Sequence, residues 1–110
     1  MDIQEQRTGG ATVLRFSGRL DGTTSGPTDV KLAEVVARSP VLILDLSAMD
    51  YISSAGLRVL LKAAKQAQSA KQKLLLASLR PSVKQVFEIS GFNTLFATFA
   101  NCDEALASLR

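Results

Sequence analysis

Between Pro40 and Ser47 the chain reads Val41-Leu42-Ile43-Leu44-Asp45-Leu46, a run in which only Asp45 is polar. So short and apolar a run, closed by breakers, predicts a strand buried on both faces. Leu74-Leu75-Leu76-Ala77, within Lys73 to Ser78, repeats the pattern. Helical spacing fills the interval. Leu57, Leu60, Leu61 and Ala64 fall at i, i+3, i+4 and i+7, with Arg58, Lys62 and Lys65 on the wet side. Strands covered on both faces and joined through helices imply parallel crossovers.

The rest of the chain fits around that unit. Ile3 to Arg7 and Ala11 to Ser17 predict two strands, turned by Thr8-Gly9-Gly10. In the second strand Thr12, Leu14 and Phe16 share one face, Val13 and Arg15 the other. Gly18 to Pro27 is a loop by composition. Thr24 or Ser25 caps a helix with Pro27 in its first turn, and its stripe is Val30, Ala33 and Ala37, joined by Leu32 and Val36. Ser39-Pro40 ends it, and Ser47 to Ser53 reads as a connector. Pro81 opens a third helix with Val83, Val86 and Phe87, closed by Ser90-Gly91. Leu95 to Ala100 predicts a short strand, and Asp103 to Arg110 a last helix with acid in its first turn. The expectation is one α/β domain over residues 1–110, a mixed sheet of about four or five strands packed with about four helices.

Composition narrows the chemistry. With 110 residues, 46% apolar and 21% charged, the chain has the balance of a globular domain with one core. It has no histidine, which excludes a Ser-His-Asp triad, a phospho-histidine relay and an imidazole-bound metal. The lone Cys102 excludes an internal disulfide and fits a reducing compartment. Five Phe, one Tyr and no Trp are too few for a base-stacking platform. A net charge of +3 is no strong nucleic-acid footprint, so Arg58, Lys62, Lys65, Lys71 and Lys73 read as solvated surface. Met1 to Glu5 lacks both a basic n-region and an apolar h-region, and no apolar run is long enough for a transmembrane segment. The expected localisation is cytoplasmic.

In open α/β sheets, chemistry collects beyond the carboxyl ends of the strands. Here that place holds two adjacent hydroxyls, Ser53 and Ser54, at the start of the second helix. Either is an N-cap of ordinary kind, worth roughly 1 kcal/mol. The other reading is a serine that accepts a phosphoryl group, whose charge a helix start tolerates. The residues alone leave both open.

Leu44-Asp45-Leu46-Ser47-Ala48-Met49-Asp50-Tyr51-Ile52-Ser53-Ser54-Ala55-Gly56-Leu57 resembles the signature of the STAS domain family, named for sulphate transporters and anti-sigma factor antagonists. Phe16-Ser17-Gly18-Arg19-Leu20-Asp21 resembles the family's element ending Gly-x-Leu-Asp. Pro81 to Phe87 with Ser90-Gly91-Phe92 resembles its later helix and turn. The likeness spans almost the whole chain and is strongest to the stand-alone anti-anti-sigma factors of bacteria.

The resemblance implies a STAS-like domain acting as an anti-sigma factor antagonist by partner switching. In that family the unphosphorylated form binds an anti-sigma factor, often a serine kinase, and frees the sigma factor. Phosphorylation ends binding, and a serine phosphatase resets it. The phosphorylated serine lies two residues before the motif's glycine, which places it at Ser54. Asp21 matches an aspartate of the kinase-facing surface, and Gly56 the glycine that lets the first helical turn pack closely. The expected partner-binding face is Asp21, Asp50, Ser53, Ala55, Gly56 and Arg58.

Two positions depart from the family pattern. Ser53 stands where many relatives carry Asp, and Arg58 where many carry Gly. Arg58, one turn from Ser54, either pairs with a phosphoserine or is a solvated helix residue. Asp21 and Asp50 are expected to make the face slightly acidic, or else to cap their loops. Met49, Tyr51 and Ile52 are candidates for apolar contact with a partner, with Ile52 equally a core residue and Tyr51 equally packed at the loop base.

Three other functions are weighed. Ser54-Ala55-Gly56 is half of a nucleophile elbow, but Ile52 replaces its first glycine and no base is at hand, so no enzyme, cofactor or metal is expected. No direct nucleic-acid contact is expected either. A STAS subunit of a membrane phospholipid-transport complex, acting without phosphorylation, is the alternative.

Overall fold

The computed structural model describes residues 1–109. Its elements run β1 (Asp2–Thr8), β2 (Ala11–Leu20), α1 (Ser25–Arg38), β3 (Val41–Ile52), α2 (Ser54–Ser69), β4 (Lys73–Ala77), α3 (Pro81–Ser90), a 3-10 turn (Phe92–Thr94), β5 (Ala97–Phe99) and α4 (Cys102–Ala107). One sheet takes the strands in chain order. β1 and β2 are antiparallel, and every later neighbour is parallel. The mixed α/β sheet with helical crossovers is as the sequence predicts.

Alternation along β3 explains the layers. Leu42, Leu44 and Leu46 join Leu14 and Phe16 of β2, Leu32 and Val36 of α1, Leu60 of α2 and Phe87 of α3 in the larger core. Ile43 faces the other way and meets Ala11, Leu75, Ala77 and, from α4, Ala105. Both faces of β3 are thereby dry at its centre. At the opposite end Gly9 and Gly10, with φ of +56° and +83°, make the two-residue β1–β2 turn. Glycine, lacking a Cβ, adopts positive φ at both positions without steric cost.

Several boundaries differ from expectation. β3 continues to Ile52, through the stretch that reads as a connector. Its partner β2 continues to Leu20, through Gly18 at φ +106°. The cause is a pair of bulges. Pairing steps from Arg15↔Asp45 to Ser17↔Ala48, and again from Gly18↔Met49 to Arg19↔Tyr51, so β3 spends extra residues each time. Period-two alternation is lost there, and with it the sequence signal of a strand. Ser47 N–H donates to Asp45 Oδ1 at 3.0 Å, bracing the first bulge.

The helices also shift in phase. In α1 the buried residues are Thr28, Leu32, Val35 and Val36, while Val30 is 69% exposed and Ala37 is exposed. Packing of Leu32 and Val36 on the sheet sets the rotation, and Val30 lies off that stripe. In α2 Leu57 and Leu60 are buried with Gly56, Val59, Ala63 and Ala67, and Leu61 and Ala64 sit half-buried at the stripe's edge. Thr24 occupies the cap position of α1 without a side-chain cap bond. α3 ends on Gly91 in the left-handed region, as expected. α4 starts at Cys102, where Asn101 Oδ1 accepts the Glu104 N–H at 2.8 Å. Arg110, expected at its end, lies outside the described residues. Burial and the nearby Asp45 raise the Cys102 thiol to about 11. The thiol is therefore protonated at neutral pH.

Candidate functional site

The bulged ends of β2 and β3 converge on the start of α2. Ser53 N–H donates to the Leu20 carbonyl at 2.9 Å, which ties the helix entrance to the last residue of β2. Ser53 Oγ then accepts the Gly56 N–H at 3.2 Å, an N-cap of the usual kind. Gly56 is a steric requirement here. A methyl at this position would stand 2.7 Å from the Leu20 carbonyl oxygen, 2.8 Å from Leu20 Cγ and 2.9 Å from Ile52 Cγ1.

The two serines are thus separated by geometry. Ser53 is half-buried and its hydroxyl holds the first turn. Ser54 is the first residue of α2 and exposed, and no described side-chain hydrogen bond engages its hydroxyl. It sits where unpaired backbone N–H groups and the positive end of the helix dipole favour a negative group. Ala55 beside it is half-buried, and Arg58 is exposed one turn further along the same side of α2.

The expected acidic face is not observed. Asp21 folds back into its own turn, with Oδ1 accepting the Thr23 hydroxyl at 2.7 Å, the Thr23 N–H at 3.0 Å and the Thr24 N–H at 3.3 Å. Those bonds, first that from the Thr23 hydroxyl, hold its carboxyl below the usual aspartate range. Its other oxygen lies 3.6 Å from Arg19 Nε. Asp50 pairs with Arg80 Nη1 at 2.7 Å, while Arg80 Nε donates to the Ser47 carbonyl at 2.8 Å. Each carboxylate of the predicted face is matched by an arginine, so its charge is balanced at close range. The Asx-type capping reading is realised for Asp21 and not for Asp50.

Of the three apolar candidates only Tyr51 reaches the surface, at 41% exposure, with the Arg19 guanidinium 4.3 Å from its ring centre. Met49 and Ile52 are core residues, turned inward by the bulges that turn Tyr51 outward. Arg19 and Arg80 are the site residues that sequence reading missed. Arg19 sits in the motif two residues before Asp21, a visible signal. Arg80 carries none, because its partner is thirty residues earlier in the chain.

Among the described residues no cluster of His, Cys, Asp or Glu fits a metal ion, and no helix is long and apolar enough to cross a membrane. The start of α2 thus presents a hydroxyl on a small face of paired charges and one aromatic ring. Residues 2–105 match the STAS domain, and the chain belongs to that family. It is 38% identical over 109 residues to the Bordetella bronchiseptica anti-sigma factor antagonist BtrV, covering 98% of this chain and 93% of BtrV. A Thermotoga maritima anti-sigma factor antagonist superposes with TM-score 0.90 at 16% identity, over 96% of this chain and 92% of that one. The Bacillus cell-fate determinant SpoIIAA in its phosphorylated form superposes with TM-score 0.73 at 20% identity, over 99% of this chain and all of that one. At such identities the two structures establish the fold.

Proposed function

We propose that the chain is an anti-sigma factor antagonist that switches partners through phosphorylation of Ser54. The observation that carries this reading is the division of labour between adjacent serines. The Ser53 hydroxyl is committed to Gly56 N–H, while that of Ser54 is exposed at the first position of α2. The 38% identity to BtrV over nearly both whole chains supports the antagonist role, and the likeness to phosphorylated SpoIIAA supports a modified state of the same fold.

The unmodified face, built from Asp21, Asp50, Ser53, Ser54, Ala55, Gly56 and Arg58 with Arg19, Tyr51 and Arg80, docks on an anti-sigma factor that is also a serine kinase. Ser54 Oγ attacks the γ-phosphorus of kinase-bound ATP. A P–O bond to Ser54 forms, the bond to the ADP oxygen breaks, and the hydroxyl proton passes to a kinase base. The chain is a phosphoryl acceptor here and supplies no catalytic group. A serine phosphatase returns it to the hydroxyl form by hydrolysis.

Placing a dianion in a close-packed interface adds desolvation and repulsion. A loss of about 4 kcal/mol weakens a complex roughly a thousandfold, enough to exchange partners. The helix start accommodates the same charge, so the fold survives while the complex does not. Incubation with the serine kinases of the source organism and labelled ATP, followed by site mapping, tests the reading. Label is expected in wild type and Ser53→Ala and absent in Ser54→Ala. Copurification with a transporter ATPase, unchanged by Ser54→Asp and without any label, instead supports the phospholipid-transport alternative.

A further inference from the structure

The cations of the candidate face and of the first half of α2 are not equivalent. Arg19 lies against Asp21, Arg80 against Asp50, and Lys62 of α2 reaches Asp29 of α1 at 3.0 Å. Arg58 is exposed on α2 and, among the described residues, forms no ion pair with a carboxylate. Ser54 and Arg58 are four residues apart in one continuous helix, which puts their Cβ atoms about 5–6 Å apart on one side. An acid N-terminal to a base at this spacing is the favoured orientation of such a pair. A phosphate on Ser54 would add acceptor oxygens within reach of a planar guanidinium that, among the described residues, holds no carboxylate.

We propose that Arg58 is the positioning residue for phosphoserine 54, drawing the phosphate back along α2. The inference rests on Ser54 being the modified residue. Its consequence is that modification changes two charges at the docking face. A dianion appears at the helix start, and the exposed guanidinium that the unmodified chain offers to a partner is withdrawn into an internal pair. The neighbouring arginines stay on their own aspartates, so the rearrangement is confined to one turn of α2.

The test uses the whole chain with phosphoserine installed at position 54 during synthesis, so that no kinase is needed. The second ionisation of the phosphate, near pH ~6 when free, is followed by phosphorus NMR. In wild type it is expected about 0.15–0.4 unit lower than in Arg58→Gln, the equivalent of a helical i,i+4 ion pair. Arg58→Lys is expected to recover part of that shift, and 1 M salt to shrink it. Lys62→Gln, altering a cation already held by Asp29, is expected to leave the titration at the wild-type position. Coincident curves for wild type and Arg58→Gln overturn the proposal, as does an equal shift from Lys62→Gln, which marks a diffuse field and no specific pair. Failure of a kinase to label Ser54 would remove the switching reading yet leave this measurement intact.

Discussion

Two helices start side by side at the carboxyl end of the sheet, and they dispose of their hydroxyls differently. Before α1, the Thr24 hydroxyl accepts the Asp21 N–H and donates to the Arg19 carbonyl, both at 2.9 Å, and that of Thr23 is held by Asp21. Before α2, the Ser53 hydroxyl is held by Gly56 N–H and the next one, on Ser54, is left over. Residue types are nearly the same at both starts. The difference lies in the backbone. α1 is entered through an Asx turn that absorbs the hydroxyls of Thr23 and Thr24 and leaves its first residue, Ser25, half-buried, whereas α2 is entered directly from a bulged strand whose register pins Ser53 on Leu20. The first residues of the two helices therefore differ in exposure, Ser25 being half-buried and Ser54 open to solvent.

The contrast is most sensitive at Gly56, which lets the α2 entrance sit against Leu20. Gly56→Ala forces a methyl into contacts under 3.0 Å, two of them with Leu20. It is expected to cost about 1–3 kcal/mol in urea unfolding. A stability equal to wild type would mean that the close approach of helix and strand is unimportant.

A smaller effect belongs to the cap itself. Ser53→Ala removes the bond to Gly56 N–H and is expected to cost ~1 kcal/mol, while Ser54→Ala stays within about 0.5 kcal/mol of wild type. Equal losses at the two positions, read from the same unfolding curves, would erase the distinction between them.

The smallest effect lies away from both entrances and serves as their control. Glu5 of β1 takes Arg38, at the end of α1, in two bonds of 2.7 Å, with Lys31 at 3.6 Å. The Arg38 bond chiefly lowers the Glu5 carboxyl from 4.5 to about 2. A carboxyl lowered on folding stabilises fully above its unfolded value and loses that contribution as pH falls from about 4.5 toward about 2. The groups are solvent-exposed, so screening keeps the contribution small. Glu5→Gln is expected to flatten the stability profile across that acid window and leave Ser54 labelling unchanged. A profile identical to wild type would show that the pair contributes nothing.

Legibility in the sequence followed regularity. The β1–β2 turn at Gly9-Gly10, the apolar centre of β3, and α3 between Pro81 and Gly91 all carry local signals that nothing remote opposes. The far half of β3 carries none, since its two bulges break alternation where the site is built. Val30 misleads because an apolar residue on a helix is silent about rotation until Leu32 and Val36 dock. The Asp50–Arg80 pair joins residues thirty positions apart, so no local pattern announces it. Ser53 and Ser54 read as equivalent because the position expected to complete a capping box is Gly56. Only the motif resemblance preferred Ser54; the bond from Gly56 N–H to Ser53 Oγ shows that the two hydroxyls differ in surroundings.

The most direct measurement compares the association of the anti-sigma partner with the chain bearing a hydroxyl or a phosphate at Ser54, by calorimetry under one set of conditions. The account predicts a loss of roughly a thousandfold on modification, with the folded circular-dichroism spectrum unchanged. Equal affinity of the two forms, or a phosphate that unfolds the domain, would contradict it.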